Sequence, residues 1–170
     1  PGATSINLLL NQPPPNDNFA AAEPLSGAQA HTTGWNTGAG REPGEPLHAG
    51  QYGGRSVWYS WTPPQTGVAN LTVTGDIAGT IVAVYRNDPF QLPSLVVATT
   101  GYTNASLAFL TRAGTPFLIV VDGVNGAAGD FALTLDQTPD ASPVLQILRV
   151  GDDQVGVACG NLPPWPATIE

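Results

Sequence analysis

The stretch GDFALTLD, residues 129–136, alternates large apolar side chains with small or polar ones. Phe131, Leu133 and Leu135 fall on one face of an extended segment, and the alanine and threonine between them fall on the other face. A period of two is typical of a β-strand with one buried and one exposed face. The stretch therefore predicts a strand that covers one side of an apolar core.

Segments of the same kind recur between residue 19 and about residue 137, and each is closed by Gly, Pro, Asn or Asp. They are RSVWYSWT, GVANLTVT, GTIVAVYR, SLVVATT, ASLAFLT, TPFLIVVD and GDFALTLD. Two of them, GTIVAVY and TPFLIVV, are apolar at consecutive positions, which is typical of central strands covered on both faces, or of strands covered on one face by a neighbouring molecule. With 20 glycines and 17 prolines in 170 residues to form turns, the chain is predicted to be all-β, an antiparallel β-sandwich.

Composition argues against several classes of function. The chain has 5 arginines and no lysine against 13 acidic residues, so its net charge of −8 provides no basic surface for nucleic acid. No apolar run is long enough to span a bilayer. The lone cysteine, Cys159, allows no disulfide within one chain, and it is either buried or bonded between subunits. A start at Pro1 without any methionine is typical of a processed secreted product, or of a trimmed chain.

Changes in composition divide the chain into three parts. Residues 1–18 combine the apolar segment TSINLLL with the proline-rich spacer NQPPPNDN, which cannot be helical. Residues 19–137 contain the predicted sandwich. Residues 138–170 contain a linker, a predicted hairpin around a Gly-Asp-Asp turn, and the proline-rich tail NLPPWPATIE. We interpret this last part as the start of a second module or as an assembly element.

The segment SVWYSW predicts a strand with aromatic side chains on both faces. Trp58 lies on one face, and Tyr59 and Trp61 lie on the other. One face must belong to the core, and the other is either structural as well or an exposed platform for sugar rings or a partner's side chains. Trp58 and Trp61 are therefore candidate binding residues. Trp165 is a third, with anchoring of the proline-rich tail as its alternative role.

The segment REPGEPLHAG, residues 41–50, brings Glu42, Glu45 and His48 together on a loop that contains two prolines. These side chains suit a metal site or a general acid–base pair. The alternative is a tight structural loop whose carboxylates cap backbone amides or pair with arginine. The chain contains two histidines and has no GxSxG, HExxH or phosphate-binding glycine motif, so we expect no catalytic activity.

Five motifs occur in one order along residues 16–136: NDNFA, EPGEPxHAG, SVWYSWTPPxTG, TIVAVY and AGTPFLIVVDGVNGAAGDFALTL. In this order the chain resembles the bacterial pre-peptidase C-terminal domain family. The resemblance implies a secreted, non-catalytic β-sandwich of jelly-roll type, similar in fold to the collagen-binding domains of bacterial collagenases. It also implies a role in secretion, attachment, or binding of a substrate or partner.

Some relatives in that family bind calcium through acidic residues of the N-terminal linker and nearby loops. Transferred to this chain, the resemblance makes Asp17, Glu42 and Glu45 candidate calcium ligands, since Ca²⁺ prefers six to eight oxygen ligands. Two departures weigh against calcium. Gly79 stands where the family usually has an aspartate, and TTGY, residues 99–102, stands where it usually has an Asn-Asp-Asp turn.

The terminal segments suggest a function in assembly. Ile6, Leu8 and Leu10 share one face of TSINLLL, which could add as a strand to the sheet of another subunit. The spacer NQPPP reaches about 15 Å when extended. We therefore predict a secreted structural or adhesion protein, a homo-oligomer or filament joined by strand exchange, unless the leader folds back on its own domain. The alternative function is an accessory module of a secreted hydrolase that binds protein or polysaccharide, with or without calcium.

Overall fold

The computed structural model describes part of the chain, with both backbone and side chains at most positions. The described residues are 12–87 and 94–140, together with the backbone of residues 145–149 and 155–159. Predictions made for Ile6, Leu8, Leu10 and Trp165 lie outside the described residues. The chain divides into two compact units, residues 1–139 and residues 140–170.

The described residues of the first unit form nine strands in two sheets. The strands are β1 (Glu23–Leu25), β2 (Gln29–Trp35), β3 (Val57–Trp61), β4 (Gly67–Gly75), β5 (Thr80–Arg86), β6 (Ser94–Thr100), β7 (Asn104–Thr111), β8 (Phe117–Gly123) and β9 (Asp130–Pro139). One sheet has five strands in the order β1-β3-β8-β5-β6, and the other has four in the order β2-β9-β4-β7. Only the β1–β3 pair is parallel among these described strands. The predicted all-β, antiparallel sandwich is confirmed.

The main apolar core lies between the two sheets and is built by alternating strand positions. Phe131, Leu133 and Leu135 of β9 are buried there, as the alternation predicts. Tyr59 packs its ring edge-on to Phe131, with ring centroids 6.4 Å apart and planes at 83°. Trp61 is 1% exposed, and its Nε1 donates a hydrogen bond to the Gly27 carbonyl at 3.0 Å. Each fully buried leucine of this kind contributes about 1.5–3 kcal/mol of transfer free energy.

A second, smaller apolar cluster lies on the outer face of the five-stranded sheet. Its buried members are Trp58, Ala83, Tyr85, Leu118 and Val120. They come from the three neighbouring strands β3, β8 and β5, so β5 and β8 are buried on both faces. This confirms the two predictions that these strands are central and that Trp58 faces away from the other aromatic residues of β3.

The described backbone of the second unit forms a hairpin. Its strands, β10 (Leu145–Arg149) and β11 (Val155–Cys159), pair in antiparallel fashion, with Leu145 opposite Cys159. The predicted hairpin therefore forms. β9 extends two residues past the predicted boundary at residue 137, because its pairing with β4 continues to Pro139 opposite Gly67.

Three short 3-10 turns complete the described backbone, at Phe19–Ala21, His48–Gly50 and Val124–Gly126. Among the described residues, no helix has the length and apolar character needed to cross a membrane.

Candidate ligand-binding site

The loop of residues 41–50 lies over the outer cluster of the five-stranded sheet. Its turn is closed by a hydrogen bond from the Glu45 N–H to the Glu42 carbonyl at 3.2 Å. Gly44 within this turn has a φ of 87°, a left-handed conformation that glycine adopts without strain. Pro43 and Pro46 flank it, and their rings restrict the backbone further. The local sequence thus favours one rigid shape for the loop.

A buried chain of polar groups fastens this loop to the sheet. His48 is hydrogen-bonded through Nε2 to Glu45 Oε1 and through Nδ1 to the Tyr85 hydroxyl, each at 2.7 Å. The other carboxylate oxygen of Glu45 accepts the Glu42 N–H at 2.8 Å. Because a carboxylate only accepts, His48 must donate from Nε2 to Glu45. The His48 ring also packs edge-on against Trp58, with centroids 5.4 Å apart.

The pKa values of two members of this chain are shifted. Burial raises the pKa of Tyr85 to about 12, and the negative charge of Glu45 adds to the rise. Burial also acts to raise the pKa of Glu45. The side chains of His48 and Ser56, the Glu42 N–H and the His48 charge together outweigh burial and lower that pKa below its ordinary value. The network therefore favours an ionised Glu45 beside a protonated Tyr85.

The NDNF segment joins the loop to the edge of the sheet. Asn16 imitates a strand residue: its carbonyl accepts the Trp58 N–H at 2.9 Å, and its side-chain Nδ2 donates to the Trp58 carbonyl at 3.0 Å. Asp17 Oδ1 accepts the Gly40 N–H at 2.7 Å. Glu42 Oε2 accepts the Phe19 N–H at 2.7 Å, which holds the half-exposed Phe19 ring at the loop.

A cavity of about 410 Å³, here called the loop pocket, lies between the loop and the outer cluster. Its lining residues are Phe19, Glu42, Pro43, Gly44, Glu45, Pro46, Trp58, Tyr85 and Leu118. Three of them are aromatic and two are proline, so the walls are mostly apolar. The indole Nε1 of Trp58 is buried without a hydrogen-bond partner in the described structure. An unpaired buried donor of this kind is often satisfied by a ligand or by water.

The three predicted calcium ligands lie near this loop, but each carboxylate already accepts an N–H group of the protein. Asp17 binds the Gly40 amide, Glu42 binds the Phe19 amide, and Glu45 binds His48. Within residues 12–87 and 94–140, no group of three or more His, Cys, Asp or Glu is arranged to hold a metal ion. This donor set does not fit a shell of six to eight oxygens. Calcium binding stays a prediction.

The predicted aromatic binding residues have different positions. Trp61 is buried between the sheets, so it does not form an exposed platform: its position in the strand register places it on the core face of β3. Trp58 is 4% exposed and lines the loop pocket. Of the two, Trp58 alone can contact a ligand of that pocket.

Asp122 is an important polar residue that the sequence reasoning missed. Its buried carboxylate accepts the N–H groups of Gly54, Arg55 and Gly123 at 2.7 to 3.1 Å. A Cβ atom at Gly53 would lie 1.6 Å from Asp122 Oδ2, so this close approach requires glycine. The signal in the sequence was an aspartate that directly follows a fully apolar strand and precedes glycine. Asp122 fixes the segment that leads into β3.

No protein-family model and no curated protein sequence matches this chain. Among solved structures it is similar to the pre-peptidase C-terminal domain of a collagenase from Bacillus anthracis, with a TM-score of 0.47 and 9% identity over 68% of this chain and 96% of that one. It is also similar to CorA, a surface-associated copper-binding protein of Methylomicrobium album BG8, with a TM-score of 0.47 and 7% identity over 69% and 98% of the two chains. A third is PliG of Aeromonas hydrophila, a periplasmic inhibitor of g-type lysozyme, with a TM-score of 0.42 and 15% identity over 69% and 96%. None of these likenesses says what this chain binds.

Proposed function

We propose that this chain is a non-catalytic binding module, and that the loop pocket receives a basic side chain, arginine or lysine, from an extended segment of a partner protein. The observation that supports this is the combination of three aromatic rings, Phe19, Trp58 and Tyr85, with the carboxylate of Glu42 in one pocket. An extracellular or cell-surface location, which the sequence resemblance implies, belongs to the same proposal.

The rings supply the attraction for a cation. The Phe19 and Trp58 rings are 6.3 Å apart at 72°, and the Trp58 and Tyr85 rings are 6.1 Å apart at 45°. Rings at such different angles form separate walls, and each wall can present π-electron density to a cation. Contacts of this kind contribute about 0.5–2 kcal/mol each, most where water is excluded.

Charge supports a basic partner over an acidic one. The chain has a net charge of −8, which raises the local concentration of positive ligands and speeds their association. Glu42 lines the pocket and is only partly buried; its Oε2 accepts the Phe19 N–H, and its other carboxylate oxygen can pair with an entering cation. An acidic ligand would meet repulsion at the same position.

The pocket is held in shape before a ligand enters. Pro43 and Pro46 restrict the loop, and the Glu45–His48–Tyr85 chain fastens it to β5. Little conformational entropy is then lost on binding. The same hydrogen-bonded network of Glu45, His48 and Tyr85 argues against catalysis, because His48 is buried and both of its ring nitrogens are already hydrogen-bonded.

The test is fluorescence polarisation with labelled proline-rich peptides that carry one central arginine, lysine or norleucine. Norleucine matches the aliphatic length of lysine without its charge. We expect the norleucine peptide to bind about tenfold more weakly than the two basic peptides, and added salt to weaken the basic peptides further. Equal binding of all three peptides, or no binding of any, would contradict the proposal.

Variants then assign the binding to the pocket. Phe19→Ala removes one aromatic wall and should weaken binding of the arginine peptide about tenfold. Leu47→Ala is the matched control, since Leu47, in the loop of residues 41–50, is a comparably exposed apolar residue that does not line the pocket. It should bind like the wild type. A Phe19→Ala variant that binds normally would place the site elsewhere.

Assembly by strand exchange is a second candidate, supported by one edge of the five-stranded sheet. Among the described strands, β6 pairs with β5 alone and so leaves one side open. Leu95 and Val96 of β6 are exposed apolar residues on that edge. An uncharged, apolar edge of this kind accepts added strands readily. The segment TSINLLL of another subunit is the occupant we propose.

Light scattering of the whole chain, compared with a chain that lacks residues 1–12, tests this second candidate. Polymers that persist in the presence of a chelator and disappear on truncation would support strand exchange. A monomer in both cases would refute it, and the binding experiments with the loop pocket would be unaffected.

A further inference from the structure

A second concave site lies at one end of the exposed face of the four-stranded sheet. It is a hollow of about 470 Å³, here called the Trp35 hollow. Its lining includes Thr33, Trp35, Thr74, Asp76, Asp130 and Ala132. No residue is shared with the loop pocket, which lies on the other sheet.

The strand register arranges the outward side chains of the hollow in two rows. In the first row Trp35 lies opposite Asp130, whose carbonyl in turn accepts the Asp76 N–H at 2.9 Å. In the second row Ala132 lies between Thr33 and Thr74. Neighbouring strands are about 4.8 Å apart, so a row of three positions spans about 10 Å, which is wide enough for one sugar ring. The small side chain at the centre of the second row leaves the floor low.

Free polar groups distinguish this end of the sheet from the row beside it. In that next row, His31 is hydrogen-bonded to Thr134 at 3.2 Å and Thr72 to Ser106 at 3.0 Å, so the side chains satisfy one another. At the hollow, the carboxylates of Asp76 and Asp130 have no side-chain hydrogen bond or ion pair with any described residue.

Trp35 gives the hollow an apolar wall. It is 44% exposed, while the other two tryptophans in the described residues are buried. A large indole ring exposed beside unpaired carboxylates offers both an apolar face and strong hydrogen-bond acceptors. A pyranose ring matches this combination, because its C–H face is apolar and its hydroxyl groups lie around the edge.

The hollow is built on a rigid frame. Asn36, next to Trp35, is fully buried and donates from Nδ2 to the carbonyls of Arg55 and Ala127 at 3.1 and 3.0 Å. Its Oδ1 accepts the Gly129 N–H at 2.9 Å. These bonds hold the end of β2 against the turn before β9. A site on strands fixed in this way needs little reorganisation on binding.

We propose that the Trp35 hollow binds one neutral sugar unit of a polysaccharide or glycan, with the ring stacked on Trp35 and its hydroxyls donating to Asp76 and Asp130. This goes beyond the peptide-binding function proposed for the loop pocket and does not depend on it. The two carboxylates disfavour an acidic sugar, so the hollow should select neutral units over acidic ones.

Affinity electrophoresis in gels that contain a soluble β-glucan, galactan, xylan or α-glucan tests the proposal, with polygalacturonate and glycol chitosan as charged comparisons. We expect at least one neutral polymer to retard the protein and polygalacturonate not to retard it. Retardation by glycol chitosan alone would show a simple cation site and overturn the proposal. So would the absence of retardation by every neutral polymer.

Variants show whether the polymer binds at the Trp35 hollow. Trp35→Ala should reduce binding of the retarding polymer at least about tenfold. Asp130→Asn should reduce that binding severalfold. Because this substitution removes a charge and the polymer is neutral, the loss cannot come from electrostatic repulsion. Leu110→Ala is the control, since Leu110 is 80% exposed on the same sheet and does not line the hollow.

A further readout separates the two sites. Trp35→Phe should abolish the tryptophan fluorescence change caused by oligosaccharide, and Phe19→Ala should leave sugar binding intact. Wild-type sugar binding by Trp35→Ala would overturn the proposal, whatever the outcome of the peptide experiments.

Discussion

The inner core and the outer cluster of this sandwich are both apolar, yet different forces hold them. The inner core lies between two sheets, and the backbone hydrogen bonds of these sheets do not depend on any single side chain. The outer cluster of five buried residues is closed by a loop, which is fastened through one buried chain of polar groups. Packing therefore dominates stability in the first region, and hydrogen bonds with a charged carboxylate dominate it in the second.

The largest effect is expected from a cavity in the inner core. Leu71→Ala at the centre of β4, where the side chain is fully buried, should lower the free energy of unfolding by about 2–5 kcal/mol. Leu110→Ala makes the same chemical change at an exposed position and should stay within about 0.5 kcal/mol of the wild type. Urea unfolding measures both, and similar losses for the two variants would contradict the assigned register.

A smaller loss of stability is expected when the hydrogen bonds that hold the loop of residues 41–50 to the sheet are weakened. Glu45→Gln preserves the shape of the side chain but removes the negative charge of the group that accepts the His48 hydrogen bond. It should lower the free energy of unfolding by about 1–3 kcal/mol. Glu23→Gln is a suitable control, because Glu23 makes one longer hydrogen bond to Thr32, at 3.3 Å. If Glu45→Gln unfolded at the same urea concentration as the control, the network would not hold the loop.

Between neutral and acidic pH, the stability of the outer cluster should depend on pH, because the Glu45 carboxylate holds the loop that covers it. The pKa of Glu45 is lowered in the folded state, so its contribution is complete above the ordinary value of 4.5 and is lost as the pH falls through the lowered pKa. Urea unfolding of the wild type and Glu45→Gln from neutral to acidic pH measures this difference. The two curves should converge in acid, and a constant separation would refute the assignment.

The smallest change in stability is expected when calcium is added or removed. Because Asp17, Glu42 and Glu45 already accept protein N–H groups, excess calcium and excess EDTA should give melting temperatures within about 1 °C of each other. A rise of several degrees in calcium, lost in Asp17→Asn, would instead establish the site that the sequence resemblance implies.

Strand alternation was enough to predict the sandwich, because most of its strands carry large apolar residues at every second position. β2 gave no such signal. Its inward positions are occupied by Ala30, Thr32 and Gly34, which are small or polar. Only its pairing with β9 in the structure shows that it is a strand. Gly34 must be small because a Cβ atom there would lie 2.5 Å from the Tyr59 hydroxyl. Close packing of this kind is decided by the partner strand and cannot be read from one segment.

The candidate site was predicted in part. Two glutamates and a histidine on a proline-containing loop indicated either a structured loop or a metal site, and the contacts of His48 with Tyr85 in β5 support the first. That contact joins residues far apart in the sequence, so spacing alone could not reveal it. The Trp35 hollow was missed for the same reason, since its rows come from three strands.

The position of β9 has a consequence for the time course of folding. β9 is the last of the nine described strands of the first unit, yet it lies between β2 and β4 in its sheet, with Gln29 opposite Asp136. Pairing over such a separation requires a large loop to close first, and proteins dominated by pairs of this kind fold in milliseconds to seconds. During synthesis β2 therefore stays unpaired until the residues of β9 have emerged, and a chain that stops short of residue 130 cannot complete its four-stranded sheet.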